Sequence, residues 1–186
     1  AVFAPCRGPV FCDGILNGDF EAVDGWLVNR GKDDGAPPDY SEACRDTGEQ
    51  GFRIGRTAEG PERDGSSGGR LAHATFPCGG GDGLPYCTIT FRAWFAARDQ
   101  EEAKLEIIVS NEIHHALIPS LDGFATFRYS ERTSGTRPWL RLSVTEGGSP
   151  GVQSTLCLDG ATCEATAKNL TNQGDGVAPL AVSNEV

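Results

Sequence analysis

A chain of 186 residues with 38% hydrophobic residues has room for one domain with a substantial core, and two domains would each be small. The formal charge of −10 argues against nucleic-acid partners, because that affinity comes mainly from Lys and Arg neutralising phosphates. No stretch approaches the roughly 20 apolar residues of a membrane-spanning helix, and 25 Gly with 11 Pro describe short strands joined by turns.

Residues 1 to 13 form an apolar arm punctuated by Pro5 and Pro9, unsuited to a central strand. Asn17-Gly18-Asp19-Phe20-Glu21 then leads through a turn to a short strand at Gly25-Trp26-Leu27-Val28, with Trp26 expected in the core. Residues 29 to 70 are polar and glycine-rich, a decorated loop region whose one strand-like stretch is Gly51 to Gly55. From Cys87 to Phe95, alternation sends Cys87, Ile89, Phe91 and Ala93 to one face and Thr88, Thr90, Arg92 and Trp94 to the other. Leu105 to Val109, Ala116 to Ile118 and Gly123 to Ser130 follow as strands. Trp139 to Val144 alternates again, with Leu140, Leu142 and Val144 inward and Trp139, Arg141 and Ser143 outward, and Thr155 to Asp159 closes the series. The pattern predicts an all-β fold, an antiparallel β-sandwich of jelly-roll type with extended N- and C-terminal arms. Its divisions are an arm at 1–13, a sandwich at 14–164 and a tail at 165–186, which by composition reads as a mobile linker.

A start at Ala1, no Met and seven cysteines together read as a mature secreted product, extracellular or at the cell surface. Three cysteine pairs lie close in sequence, Cys6 with Cys12, Cys78 with Cys87 and Cys157 with Cys163, and local bridges are the simplest expectation. Each would close a short loop, as at Pro77 to Tyr86, where Gly79-Gly80-Gly81 loses much conformational freedom on ordering. Spacing does not fix connectivity. On this scheme Cys44 is left over, either a buried inert thiol or a bridge to another chain. No Cys-x-x-Cys knuckle or haem-attachment sequence occurs, which argues against zinc and haem.

Asn17-Gly18-Asp19-Phe20-Glu21 with Trp26, the closing Leu156-Cys157-Leu158-Asp159-Gly160-Ala161, and the Cys87 to Phe95 strand between them together carry a family likeness. They resemble the galactose-binding-like jelly roll of secreted carbohydrate-binding modules, over residues 14 to 164, with Gly160 standing where a second Asp is usual. In that family the Glu of the opening motif and the Asp of the closing strand hold a structural calcium. The resemblance therefore implies calcium at Glu21 and Asp159, with Asp19 adding a side chain or only its carbonyl. First and last strands are neighbours in such a sandwich, so hard carboxylate oxygens from both ends can converge on a hard cation. The competing reading places Asp19 in a turn and leaves Glu21 a solvated charge.

Catalytic signals are weak. The adjacent His114 and His115 point to opposite faces of a strand and cannot readily share one metal, and His73 stands apart. No zinc-protease, nucleophile-elbow or phosphate-cradling motif is present, and no carboxylate pair is marked out among 26 acidic residues. The expectation is a protein with no catalytic residues.

Trp94 beside Arg92 and Trp139 beside Arg141 are expected on polar outer surfaces, suited to a sugar ring or to a protein interface. Two functions follow. The first is a calcium-stabilised structural subunit that assembles with copies of itself into a filament, sheath or coat through its terminal arms, the tail adding as a strand to a neighbour's sheet. The second is a carbohydrate-binding module that takes a polysaccharide on its exposed Trp residues. Asn169-Leu170-Thr171 is a glycosylation acceptor sequence compatible with either.

Overall fold

The computed structural model describes residues 15, 18–21, 26–29, 39–55, 70–73, 78–79, 83–97, 102–133, 138–144 and 155–183. The N-terminal arm, including Cys6 and Cys12, and most of the 29–70 loop lie outside the described residues.

The period-two alternation of the sequence becomes strands that bury one face each. In chain order they are β1 (Trp26–Asn29), β2 (Asp39–Ser41), β3 (Gly51–Gly55), β4 (Arg70–His73), β5 (Tyr86–Ala96) and β6 (Ala103–Val109). They continue as β7 (Glu112–Ile118), β8 (Ala125–Arg132), β9 (Trp139–Val144), β10 (Thr155–Thr166) and β11 (Ala181–Ser183). Antiparallel pairing assembles a six-stranded sheet, β1-β4-β9-β6-β7-β11, and a five-stranded sheet, β2-β3-β10-β5-β8. Between them Phe52, Ile54, Ile89, Phe91 and Phe127 of one sheet meet Leu105, Ile107, Leu140 and Leu142 of the other, all within 1% of full burial. The Phe91 and Phe127 rings stack at 5.3 Å between centroids. This is the expected β-sandwich, and its Cys87 to Phe95 and Trp139 to Leu142 stretches bury the faces their alternation indicates.

Opening and closing segments of the chain meet at one bulge. β10 shifts register against β5 between Leu158 and Ala161, and Gly160 adopts φ +150° there, a conformation that disfavours a side chain. Beyond it the Ala161 N–H donates to the Gly18 carbonyl at 2.7 Å. A Cβ on Gly18 would stand 2.1 Å from the Ala161 oxygen, so only glycine permits this approach. Two residues on, Phe20 takes φ +58° and is fully buried, its ring 5.1 Å from Trp26 and 5.9 Å from Phe52. The Gly18-Asp19-Phe20 stretch is thus a turn that inserts an aromatic plug.

The cysteine scheme needs correction. Cys78 is bonded to Cys87 across a separation of 9 residues, but Cys157 is bonded to Cys44 across 113, not to Cys163. Cys44 is therefore neither an inert thiol nor available to another chain. The local guess failed because β10 faces outward at Cys157, where the 3-10 turn Glu42–Cys44 after β2 lies over the sheet, whereas Cys163 is buried on the core side.

The tail also departs from expectation. The proposed boundary at 164 falls inside β10, and the segment beyond is bound to its own molecule. Thr88 Oγ1, fully buried on the outer side of β5, lies 2.6 Å from Ser130 Oγ and 2.8 Å from Thr166 Oγ1, and the Leu170 N–H donates to Ser130 Oγ at 2.8 Å. The chain then follows the open edge of β8, donating from Asn172 N–H to Arg128 O at 3.1 Å and from Ala178 N–H to Thr126 O at 2.8 Å. Leu180 enters the core, and β11 pairs with β7, so one strap covers the β8 edge of one sheet and the β7 edge of the other.

Candidate functional site

Two regions gather the residues singled out in the sequence. The first lies where the bulge buries Asp159 to 4% exposure beneath the 42–50 loop. Asp159 Oδ2 accepts the Asp46 and Thr47 N–H groups, while Oδ1 is buried and has no hydrogen-bond partner among the described residues. Burial raises the Asp159 carboxyl above the usual carboxylate range; the two backbone donors oppose this, and the charges of Asp46 and Glu21 add to it. Glu21 Oε1 accepts from Glu49 N–H at 2.9 Å and Gln50 N–H at 3.4 Å, filling the space where a Cβ on Gly48, at φ +67°, would sit. Gln50 Nε2 closes the corner by donating to Phe20 O at 3.1 Å. Asp19 is elsewhere: its exposed carboxylate takes the Glu21 N–H at 3.4 Å within the turn. Among the described residues no three His, Cys, Asp or Glu side chains form a metal-binding group. Glu21 and Asp159 are brought together, as electrostatic neighbours, and Asp19 is not.

The second region is the pair of outward-facing tryptophans, which the fold separates. Trp94 belongs to the five-stranded sheet and Trp139 to the six-stranded sheet, so they stand on opposite outer surfaces. The Trp94 indole donates to Leu121 O at 2.9 Å and lies 6.1 Å from the Phe124 ring, half-buried under the loop between β7 and β8. Arg92 beside it is ion-paired with Asp46, 2.6 Å from Nη2 to Oδ2, and also donates to Thr126 Oγ1 at 3.1 Å. The farther part of this face, around Thr88 and Ser130, is occupied by the tail strap.

Trp139 is 46% exposed. In register beside it on β6 is Ile108, and beside that on β7 is Ile113, 51% exposed, giving an apolar row across three adjacent strands. The next outward row holds Arg141, Glu106 and His115, with Arg141 Nε bonded to Glu106 Oε2. Indole and aliphatic surface thus border a fixed guanidinium–carboxylate pair. Sequence reading found Trp139 and Arg141; it missed Ile108, Ile113 and Glu106, although alternation in Leu105 to Val109 already places Glu106 and Ile108 opposite the core. His114 faces inward at the end of the sandwich, its Nδ1 3.5 Å from Glu131, which also accepts from Tyr129 Oη at 2.8 Å. Burial, with the Glu131 charge, raises the Tyr129 phenol well above its ordinary value.

No family model and no curated protein matches this sequence. Solved structures do match in fold. TmCBM61, determined in complex with β-1,4-galactotriose, superposes with TM-score 0.52 at 13% identity, covering 82% of this chain and 98% of that one. A structure described as "CBM4 structure and function" gives TM-score 0.51 at 14% identity over 82% and 99%. The enzymatically active domain of tailspike protein 4 from bacteriophage CBA120 gives TM-score 0.54 at 11% identity, but this chain spans only 21% of it. The chain has the jelly-roll β-sandwich of carbohydrate-binding modules.

Proposed function

We propose that this protein is a non-catalytic, extracellular carbohydrate-binding module that holds a polysaccharide on the outer face of the six-stranded sheet. The observation that carries the reading is the Trp139 row: a 46% exposed indole on rigid strands, extended by Ile108 and Ile113 and bordered by the Arg141–Glu106 pair. A sugar ring has an apolar C–H face that stacks on indole and equatorial hydroxyls that bond to a fixed donor and acceptor pair. The galactotriose complex of the fold neighbour TmCBM61 supports the ligand class. The alternative of assembly through the tail loses its motivation, because β11 already pairs with β7 of its own chain.

A structural calcium is part of the same reading. The buried, unpartnered Asp159 Oδ1 is an oxygen suited to a hard cation, and Glu21 is the carboxylate beside it. Asp159 and Glu21 would hold the ion with backbone carbonyls or water completing the shell; it would neutralise the corner and take no part in sugar binding.

Binding to a panel of soluble polysaccharides by affinity electrophoresis tests the main reading. Trp139→Ala should remove about 1–3 kcal/mol, a loss of affinity of roughly five- to 150-fold, by analogy with stacking of a planar ligand on an aromatic ring. Trp94→Ala should leave retardation unchanged. Equal loss in both variants, or none in Trp139→Ala, sinks the assignment of the face.

A further inference from the structure

Asn169-Leu170-Thr171 is the one Asn-x-Ser/Thr triplet in the chain, and it lies at the start of the strap. Asn169 is exposed. Its Oδ1 accepts the Thr171 N–H at 2.9 Å, and among the described residues no bond engages its amide nitrogen. Thr171 is held differently. Its Oγ1 accepts the Ser130 N–H at 2.9 Å and lies 3.5 Å from Ser130 O, on the edge of β8, while Leu170 N–H is held by Ser130 Oγ. Glycosyl transfer to such a triplet needs the acceptor amide and the hydroxyl two residues on to be presented together in an open loop. The folded strap presents the first and withholds the second. The disulfides fit an oxidising compartment, the setting in which such transfer takes place.

We propose that Asn169 is an N-glycan acceptor that is competent only before the strap docks on β8, so that folding and glycosylation compete for Thr171. In the transfer, the anomeric carbon of an oligosaccharide carried on a polyprenyl phosphate or diphosphate forms a bond to Asn169 Nδ2. The bond from that carbon to the phosphate oxygen breaks, the lipid phosphate leaves with the electron pair, and one proton leaves the amide nitrogen. No oxidant or reductant is needed. The strap then docks with the glycan on the side of the five-stranded sheet, away from Trp139, so modification and polysaccharide binding do not interfere.

The full chain, secreted from eukaryotic cells, tests this by its gel mobility before and after peptide-N-glycosidase. Wild type should show a mobility shift that the enzyme removes, Asn169→Gln should show none, and Ser130→Ala, which loosens docking by removing the Leu170 acceptor, should raise occupancy. With a purified oligosaccharyltransferase and lipid-linked oligosaccharide, the reduced, unfolded chain should be modified faster than the folded protein, by roughly tenfold or more for the loss of the bonds that tie Leu170 and Thr171 to Ser130. A shift only in Ser130→Ala also supports the competition, folding having won in wild type. An unmodified Asn169 in both proteins, or equal transfer to folded and unfolded chains, overturns it.

Discussion

Asp159 is a buried carboxyl held close to two other acidic side chains. Burial and the charges of Asp46 and Glu21 raise its carboxyl, so the folded state holds a proton there more tightly than the unfolded chain does. Stability from this group is therefore greatest below the unfolded value of about 3.9 and falls as pH rises through the higher folded value. In a chelator, the thermal midpoint of wild type relative to Asp159→Asn should fall between pH 4 and pH 7. Calcium at neutral pH should reverse the loss: at about 100 times Kd it adds about 2.7 kcal/mol, or roughly 5–11 °C for a chain of this size. Asp159→Asn should lose the response. Identical wild-type midpoints with calcium and with chelator would remove the cation from the account and leave Asp159 Oδ1 as a plain buried cost.

Elements differ in how far local sequence determines them. β5 and β9 were legible because half-buried strands write a period of two into the chain, and Leu140, Leu142, Ile89 and Phe91 are buried as that period requires. Periodicity tells which way Trp94 and Trp139 point but not which sheet each strand joins, so it could not show them on opposite surfaces. The strap was illegible for another reason. Besides the β11 pairing and two backbone bonds to β8, its hold comes from side chains bonding to backbone, and Asn, Thr, Ser and Gly in sequence look the same in a docked segment as in a linker. Asn172 is its pivot: at φ +59° it accepts from Leu180 N–H at 2.8 Å and donates to Leu180 O at 2.9 Å, folding the chain so that Leu180 reaches the core. Asn172→Ala removes both bonds and places an alanine in the left-handed region, costing about 2–3 kcal/mol together. Urea unfolding should show that loss, and limited proteolysis should cut first within 172–183. An unchanged midpoint and an uncut strap would mean that β11 pairing alone secures it.

At the scale of the molecule, the opening and closing thirds of the chain are tied at one corner by three kinds of bond. Gly18 O meets Ala161 N–H, the Asp46 and Thr47 N–H groups meet Asp159, and Cys44 is bonded to Cys157. These contacts close very long loops, which is why neither cysteine spacing nor local propensity revealed them. In the chain-entropy account a cross-link stabilises more when the loop it closes is longer: about 4–5 kcal/mol for a separation of 113 residues and about 2–3 for one of 9. Cys44→Ala with Cys157→Ala should therefore lower the urea midpoint more than Cys78→Ala with Cys87→Ala. Because the 42–50 loop also caps Asp159, the first pair of changes should abolish the calcium response, whereas the second should leave it intact. The Trp139 row sits on the other sheet, so below their melting temperatures both variants should still retard the same polysaccharide. A larger loss from the Cys78–Cys87 variant would show that native-state geometry, rather than loop closure, sets the worth of these bridges, and the corner would then owe its order to Gly18 and Asp159.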